Sequence, residues 1–149
     1  MTRGQSRCIH AATALVGVSG LVYGWMRYFA VPEDEFAVVN HPWQPALQAS
    51  HILFAPLLVF AVGLVWRDHI WARISFGSPA RRRGGLVLTS LVFPMIASGY
   101  LLQTATSEAW RTTWIWVHGV TGCLWLVVYL IHQATPKRLA RRGAIAHRA

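Results

Sequence analysis

The chain has 149 residues, of which 54% are hydrophobic and 13% charged, with eight Trp; soluble domains carry about a quarter charged residues, so this composition suits a lipid solvent. A formal net charge of +9 raises nucleic acid as a partner, but the arginines stand in clusters between apolar runs rather than along one basic face, which excludes that class and makes them topology signals.

Four apolar segments follow one another along the chain, at about residues 8–30, 47–66, 84–103 and 113–133. Each approaches the ~20 residues a helix needs to cross ~30 Å of hydrocarbon. Backbone polar groups must be paired internally in lipid, so all four are expected to be helical, with Pro56 and Pro94 as kinks tolerated inside a packed bundle. The first segment has the basic start of a secretory signal, but its apolar stretch ends in Trp25-Met26-Arg27-Tyr28-Phe29 without a small-x-small cleavage site, so it reads as a span. Residues 1–136 then form one all-α, four-helix transmembrane domain. Residues 137–149 are a basic cytoplasmic tail, poorly ordered and lying on anionic lipid.

The loops orient the spans. Arg3 and Arg7 precede the first, Arg67, Arg73 and Arg81 to Arg83 separate the second and third, and Lys137, Arg138, Arg141 and Arg142 follow the fourth; positive residues face the cytoplasm, so both termini belong there. The other two connections carry Glu33, Asp34 and Glu35, and Glu108 with Arg111. Trp43, Trp110, Trp114 and Trp116 mark the outer interface as an aromatic belt.

Ionisable groups inside a membrane are costly and tend to be functional, which directs attention to the seven histidines. With the helices directed, His10 and His132 fall near the cytoplasmic edge, and His51 and His118 near the outer one. His118 and His132 are 14 residues apart, about 21 Å along a helix and only about 40° from the same face. One helix thus offers an imidazole at two levels, each matched in depth by a histidine on another helix. That is how a bundle core grips haem iron from both sides, so two stacked b-type haems are the simplest reading. Cys8 and Cys123 lie on separate segments with no Cys-x-x-Cys-His attachment, which leaves any haem non-covalent and a disulfide unexpected.

Gly17 and Gly24 lie within about 40° of the His10 face, and Gly119 and Gly122 follow His118, where they would let a macrocycle approach the backbone. Arg111, seven residues before His118, is placed to pair with a propionate, as is Arg7 or Arg138 at the inner site. His69, in Arg67-Asp68-His69 just past the second span, competes with His10 as partner to His132. His41 sits in a loop, as His41-Pro42-Trp43, where a contact to a quinone or redox partner is the functional alternative. For any one histidine, a polar helix-packing contact is the plain alternative, and glycines of this kind also serve helix packing; the joint depth pattern is what favours haem.

From Arg7-Cys8-Ile9-His10 through His132, the chain resembles the bacterial transmembrane di-haem cytochrome b proteins. That superfamily includes the cytochrome b subunits of nickel-iron hydrogenases and formate dehydrogenases and the small flavinylation-associated cytochromes. The resemblance implies one haem between the first and fourth helices, held by His10 and His132, and another between the second and fourth, held by His51 and His118. It also implies an electron-transfer subunit in the bacterial inner membrane, part of a respiratory chain, between the quinone pool and a redox protein or flavoprotein at the outer face. Proton exchange with a quinone would fall to outer groups such as His41, Glu33 to Glu35 or Glu108.

Two other readings compete. A haem-free anchor or assembly subunit would use the helix surfaces for packing alone. A proton path lined by histidines would want a polar stripe through the core, whereas the third span offers only Thr89, Ser90 and Ser98. No Ser-His-Asp set, zincin motif or phosphate-binding glycine loop is present, so hydrolytic chemistry has no candidate residues.

Overall fold

In a computed structural model of the chain, residues 1–32, 34–76 and 79–146 are described; the side chains of residues 79–81 and 135–146 lie outside the description, as do Glu33 and His147. Among the described residues, the regular structure is all helical: α1 (Arg3–Tyr28), α2 (Gln44–Val65), a π-helical turn (Trp66–Trp71), α3 (Ala72–Phe76), α4 (Pro79–Thr104) and α5 (Glu108–Ala146). Four stretches are long and apolar enough to cross a membrane: Arg3–Tyr28, Gln44–Phe76, Arg82–Thr104 and Glu108–Ala134. They are the four segments expected from the sequence, and the chain has the make-up of a multi-pass membrane protein.

The helices extend beyond the apolar runs at several ends, because arginine and lysine are good helix formers and hydrogen bonding does not stop where charge begins. The N-terminus of α1 starts earlier than expected. There the Thr2 hydroxyl accepts from the Gln5 N–H and the Gln5 side chain accepts from the Thr2 N–H, a reciprocal capping box. The second segment does not stop near Trp66 but continues through the π turn to Phe76, so His69 lies on a helix rather than on an open edge. The last helix continues to Ala146 through Pro136, where a poorly ordered tail was expected.

The fold divides into two compact units, Met1–His69 and Ile70–Ala149, each built on a pair of long antiparallel helices. In the first, α1 packs on α2. Its buried residues are small or slender, among them Ala12, Thr13, Ser19, Leu58, Ala61 and Val65, which lets two backbones come close where lipid supplies no hydrophobic drive. The Gln5 side-chain amide donates to the Leu64 carbonyl at 3.1 Å, joining the start of α1 to the end of α2. At the other end, the Asn40 amide donates to the Arg27 carbonyl at 2.8 Å and the Asn40 N–H donates to the buried Gln44 side chain at 3.2 Å, tying the connecting loop to both helix ends. Pro45 enters α2 in its first turn, where its missing N–H costs no hydrogen bond.

In the second unit α4 packs on α5. Val92, Met95 and Ser98 are buried on α4, and Trp125 and Tyr129 on α5, one turn apart with rings stacked at 5.2 Å. Large apolar side chains outside these seams, including Leu53, Phe60, Phe93, Val127 and Ile131, are exposed on the helix surfaces. That is the distribution expected of helices solvated by lipid or by one another rather than by water.

Candidate functional site: two histidines in matching cradles

Two histidines anticipated from the sequence are held in the same way, each inside its own unit. His51 on α2 lies against α1, where its Nδ1 is 3.1 Å from the Val16 carbonyl oxygen and 3.3 Å from the Ser19 hydroxyl. His118 on α5 lies against α4, where its Nδ1 is 3.0 Å from the Met95 carbonyl oxygen and 3.3 Å from the Ser98 hydroxyl. A carbonyl oxygen can only accept, so Nδ1 carries the proton in both rings, and in the neutral imidazole the lone pair is on Nε2.

The serines are set by their own helices. Ser19 donates to Leu15 O at 2.7 Å and approaches Val16 O at 3.2 Å; Ser98 donates to Pro94 O at 2.6 Å and approaches Met95 O at 3.1 Å. Each hydroxyl proton is therefore directed back into the helix, which leaves the oxygen facing the ring as a second acceptor for Nδ1–H. Both serines are buried, Ser98 completely.

A glycine completes each cradle. A Cβ on Gly20 would stand 2.7 Å from Cε1 and 3.0 Å from Nδ1 of His51; one on Gly99 would stand 3.1 Å and 3.3 Å from the same atoms of His118. Gly20 and Gly99 are each one helical turn beyond the carbonyl that the ring bonds, so a side chain there would cover the carbonyl's second lone pair. The local arrangement thus occurs twice, in Val16-Gly17-Val18-Ser19-Gly20 and Met95-Ile96-Ala97-Ser98-Gly99, which share the Ser-Gly dipeptide, each on the first long helix of a pair and each served by a histidine on the second. The seam repeats further along, where Leu58 and Trp125, two turns beyond the two histidines, are both buried.

The remaining candidates are arranged differently. His132 lies against Gly84, whose Cβ would be 3.3 Å from its Nδ1, so α4 seats both histidines of α5 on glycines. His10 is exposed on α1, with Nε2 3.2 Å from the Ser6 hydroxyl one turn earlier. His69 is half-buried in the π turn. His41 is the loop residue expected: its Nδ1 accepts from the Trp43 N–H at 3.1 Å. Arg7 and Arg111 are exposed, the latter in the first turn of α5 beside Trp110 and Trp114, whose rings stack at 5.6 Å. The side chain of Arg138 is outside the described residues. Cys8 and Cys123 are both free thiols.

Three of the glycines singled out from the sequence touch no histidine. At Gly24, Gly119 and Gly122 a Cβ would meet nothing within 4 Å, whereas Gly20, Gly84 and Gly99 carry the close contacts. Helical angles alone, measured from His10 or His118 within one helix, do not reveal which glycine a ring on the opposite helix will meet. The usable signal was the pair of Ser-Gly dipeptides in mid-span.

Among the described residues, no three or more His, Cys, Asp or Glu come together as they would around a bare metal ion. The donor set suits a group that takes one imidazole nitrogen at a time: two membrane-embedded histidines whose Nδ1–H is committed to a carbonyl present Nε2 as an electron-pair donor of fixed direction, the state in which histidine binds iron. Neither a protein-family model, nor a curated protein, nor a solved structure matches this chain.

Proposed function

We propose that this chain is a membrane b-type cytochrome that passes single electrons across a bacterial inner membrane, between the quinone pool and a redox protein or flavoprotein on the outer side. Its four membrane-length helices would form one bundle with both termini cytoplasmic, as the arginine clusters favour. The observation that carries the reading is the paired setting of His51 and His118, with Nδ1 bonded to a helix carbonyl at 3.1 and 3.0 Å.

His51 and His118 would hold the outer haem b through Nε2, and His10 and His132 the inner one, in the pairs given by depth and by the resemblance to the di-haem cytochromes. Bound haem supplies a one-electron couple at iron. The protein's own part is to orient the ligand rings, raise their basicity through Nδ1–H···O=C bonds, and surround them with apolar side chains. Arg111 and Arg7, both exposed at helix starts, offer guanidinium groups to carboxylates at the two levels.

The test is the dithionite-reduced minus oxidised spectrum of the protein purified in detergent, with haem quantified as the pyridine complex, for wild type and His118→Ala. A b-type α-band with about two haems per chain, reduced in the variant, is the expected result. A colourless protein from haem-replete cells overturns the reading and leaves the haem-free anchor or assembly subunit in its place.

A further inference from the structure

We propose that Ser19-Gly20 and Ser98-Gly99 are positioning residues that set the tautomer, ring plane and electron-donating strength of His51 and His118, each within its own unit. The inference rests on the cytochrome reading for what the rings bind, but the cradle has its own physical content and its own readout.

Three groups act together at each ring. The carbonyl of Val16 or Met95 takes the Nδ1 proton, at 3.1 and 3.0 Å. The serine oxygen, 3.3 Å from Nδ1 in both cases, stands beside that carbonyl as a second acceptor. The glycine lets the ring lie close enough to reach them, since a Cβ there would meet Cε1 at 2.7 Å on Gly20 and 3.1 Å on Gly99. Partial transfer of Nδ1–H density toward two oxygens makes Nε2 more basic, which favours the ferric over the ferrous state of a ligated iron and lowers its potential. Because distances and partners agree so closely at the two rings, neither is the weaker donor.

Serine alone would not do this. In a helix, serine back-bonds to its own carbonyls, as both do here, and with an alanine in place of glycine the imidazole would be held off the carbonyl. Glycine alone would give the ring a seat without the second acceptor. The two dipeptides supply both, at equivalent places in the two units.

The experiment compares wild type, Ser98→Ala, Gly99→Ala and Gly63→Ala, where Gly63 is a helical glycine whose Cβ would meet nothing within 4 Å. Histidine-labelled protein from haem-depleted cells, in detergent, is examined by long-range proton–nitrogen correlation for the tautomer of the His118 ring. Haem-replete protein is examined by redox titration of the α-band and by low-temperature ferric EPR. The wild type and Gly63→Ala are expected to show the Nδ1–H tautomer, which Gly99→Ala loses. Gly99→Ala should also bind haem roughly ten- to a hundredfold more weakly. Ser98→Ala, which removes no packing volume beyond one oxygen, should keep its haem and raise the potential of one haem while leaving any other unchanged.

Wild-type potentials, EPR g-values and haem retention in both Ser98→Ala and Gly99→Ala would overturn the cradle and leave the cytochrome reading intact. A wild type with no haem overturns the cytochrome reading; the nitrogen spectra then still decide whether the cradle sets the tautomer, and an Nδ1–H tautomer unaffected by Gly99→Ala overturns it.

Discussion

Replacing Gly20 by alanine is the sharpest test of how α1 and α2 fit together. The added methyl would lie 2.7 Å from Cε1 and 3.0 Å from Nδ1 of His51, whereas carbon atoms settle at about 3.5–4.0 Å. The ring must therefore retreat by several tenths of an ångström or more. Its Nδ1 is already 3.1 Å from Val16 O and 3.3 Å from the Ser19 oxygen, so that retreat takes both beyond hydrogen-bonding range. Overpacking costs about 1–3 kcal/mol and the lost hydrogen bond about 0.5–1.5 kcal/mol, against a gain of about 0.8–1.0 kcal/mol from helix propensity. The net loss is about 0.5–3.7 kcal/mol. Gly63→Ala, with nothing within 4 Å, carries only the propensity gain and should stabilise by up to about 1 kcal/mol. Unfolding by titration with SDS from mild detergent, followed by tryptophan fluorescence, measures both. If Gly20→Ala proves as stable as Gly63→Ala, His51 does not rest on α1 as described and the cradle is wrong.

Other perturbations probe separate parts of the chain. Thr13 is buried with its hydroxyl lacking a hydrogen-bond partner, so Thr13→Val, which keeps the shape, should stabilise by about 1 kcal/mol in the same titration; a loss of that size would mean the hydroxyl has a partner in the working protein. Asn40→Ala removes the exposed bond to Arg27 O and should cost about 0.5 kcal/mol, read as faster proteolysis of the loop between α1 and α2; unchanged cleavage would show that the loop is held by other means. Reporter fusions test the orientation drawn from the arginine clusters. A reporter that requires the cytoplasm should be active after either terminus and inactive when inserted between α1 and α2, and the opposite pattern would invert the assignment of outer and inner haem levels.

The number and approximate limits of the long helices were legible in the sequence, because a backbone in lipid has few alternatives to the helix and ~20 apolar residues is a length the membrane itself imposes. That His51 and His118 lie within apolar helical segments was legible too, and an imidazole there is costly unless it is paired or used. Helix ends were less so: the capping box at Thr2 and Gln5 was present in the sequence, but the continuation of the second segment through the π turn to Phe76 depends on hydrogen bonding that hydropathy does not register. What only the tertiary structure decided is how a histidine is held. Whether Gly20 or Gly24 meets an imidazole depends on the register between α1 and α2, and periodicity within one helix carries no information about its offset against another. That register brings Ser19 to His51, and the register between α4 and α5 brings Ser98 to His118, residues 32 and 20 positions apart in the chain; together they turn two ordinary Ser-Gly dipeptides into matching seats for two rings.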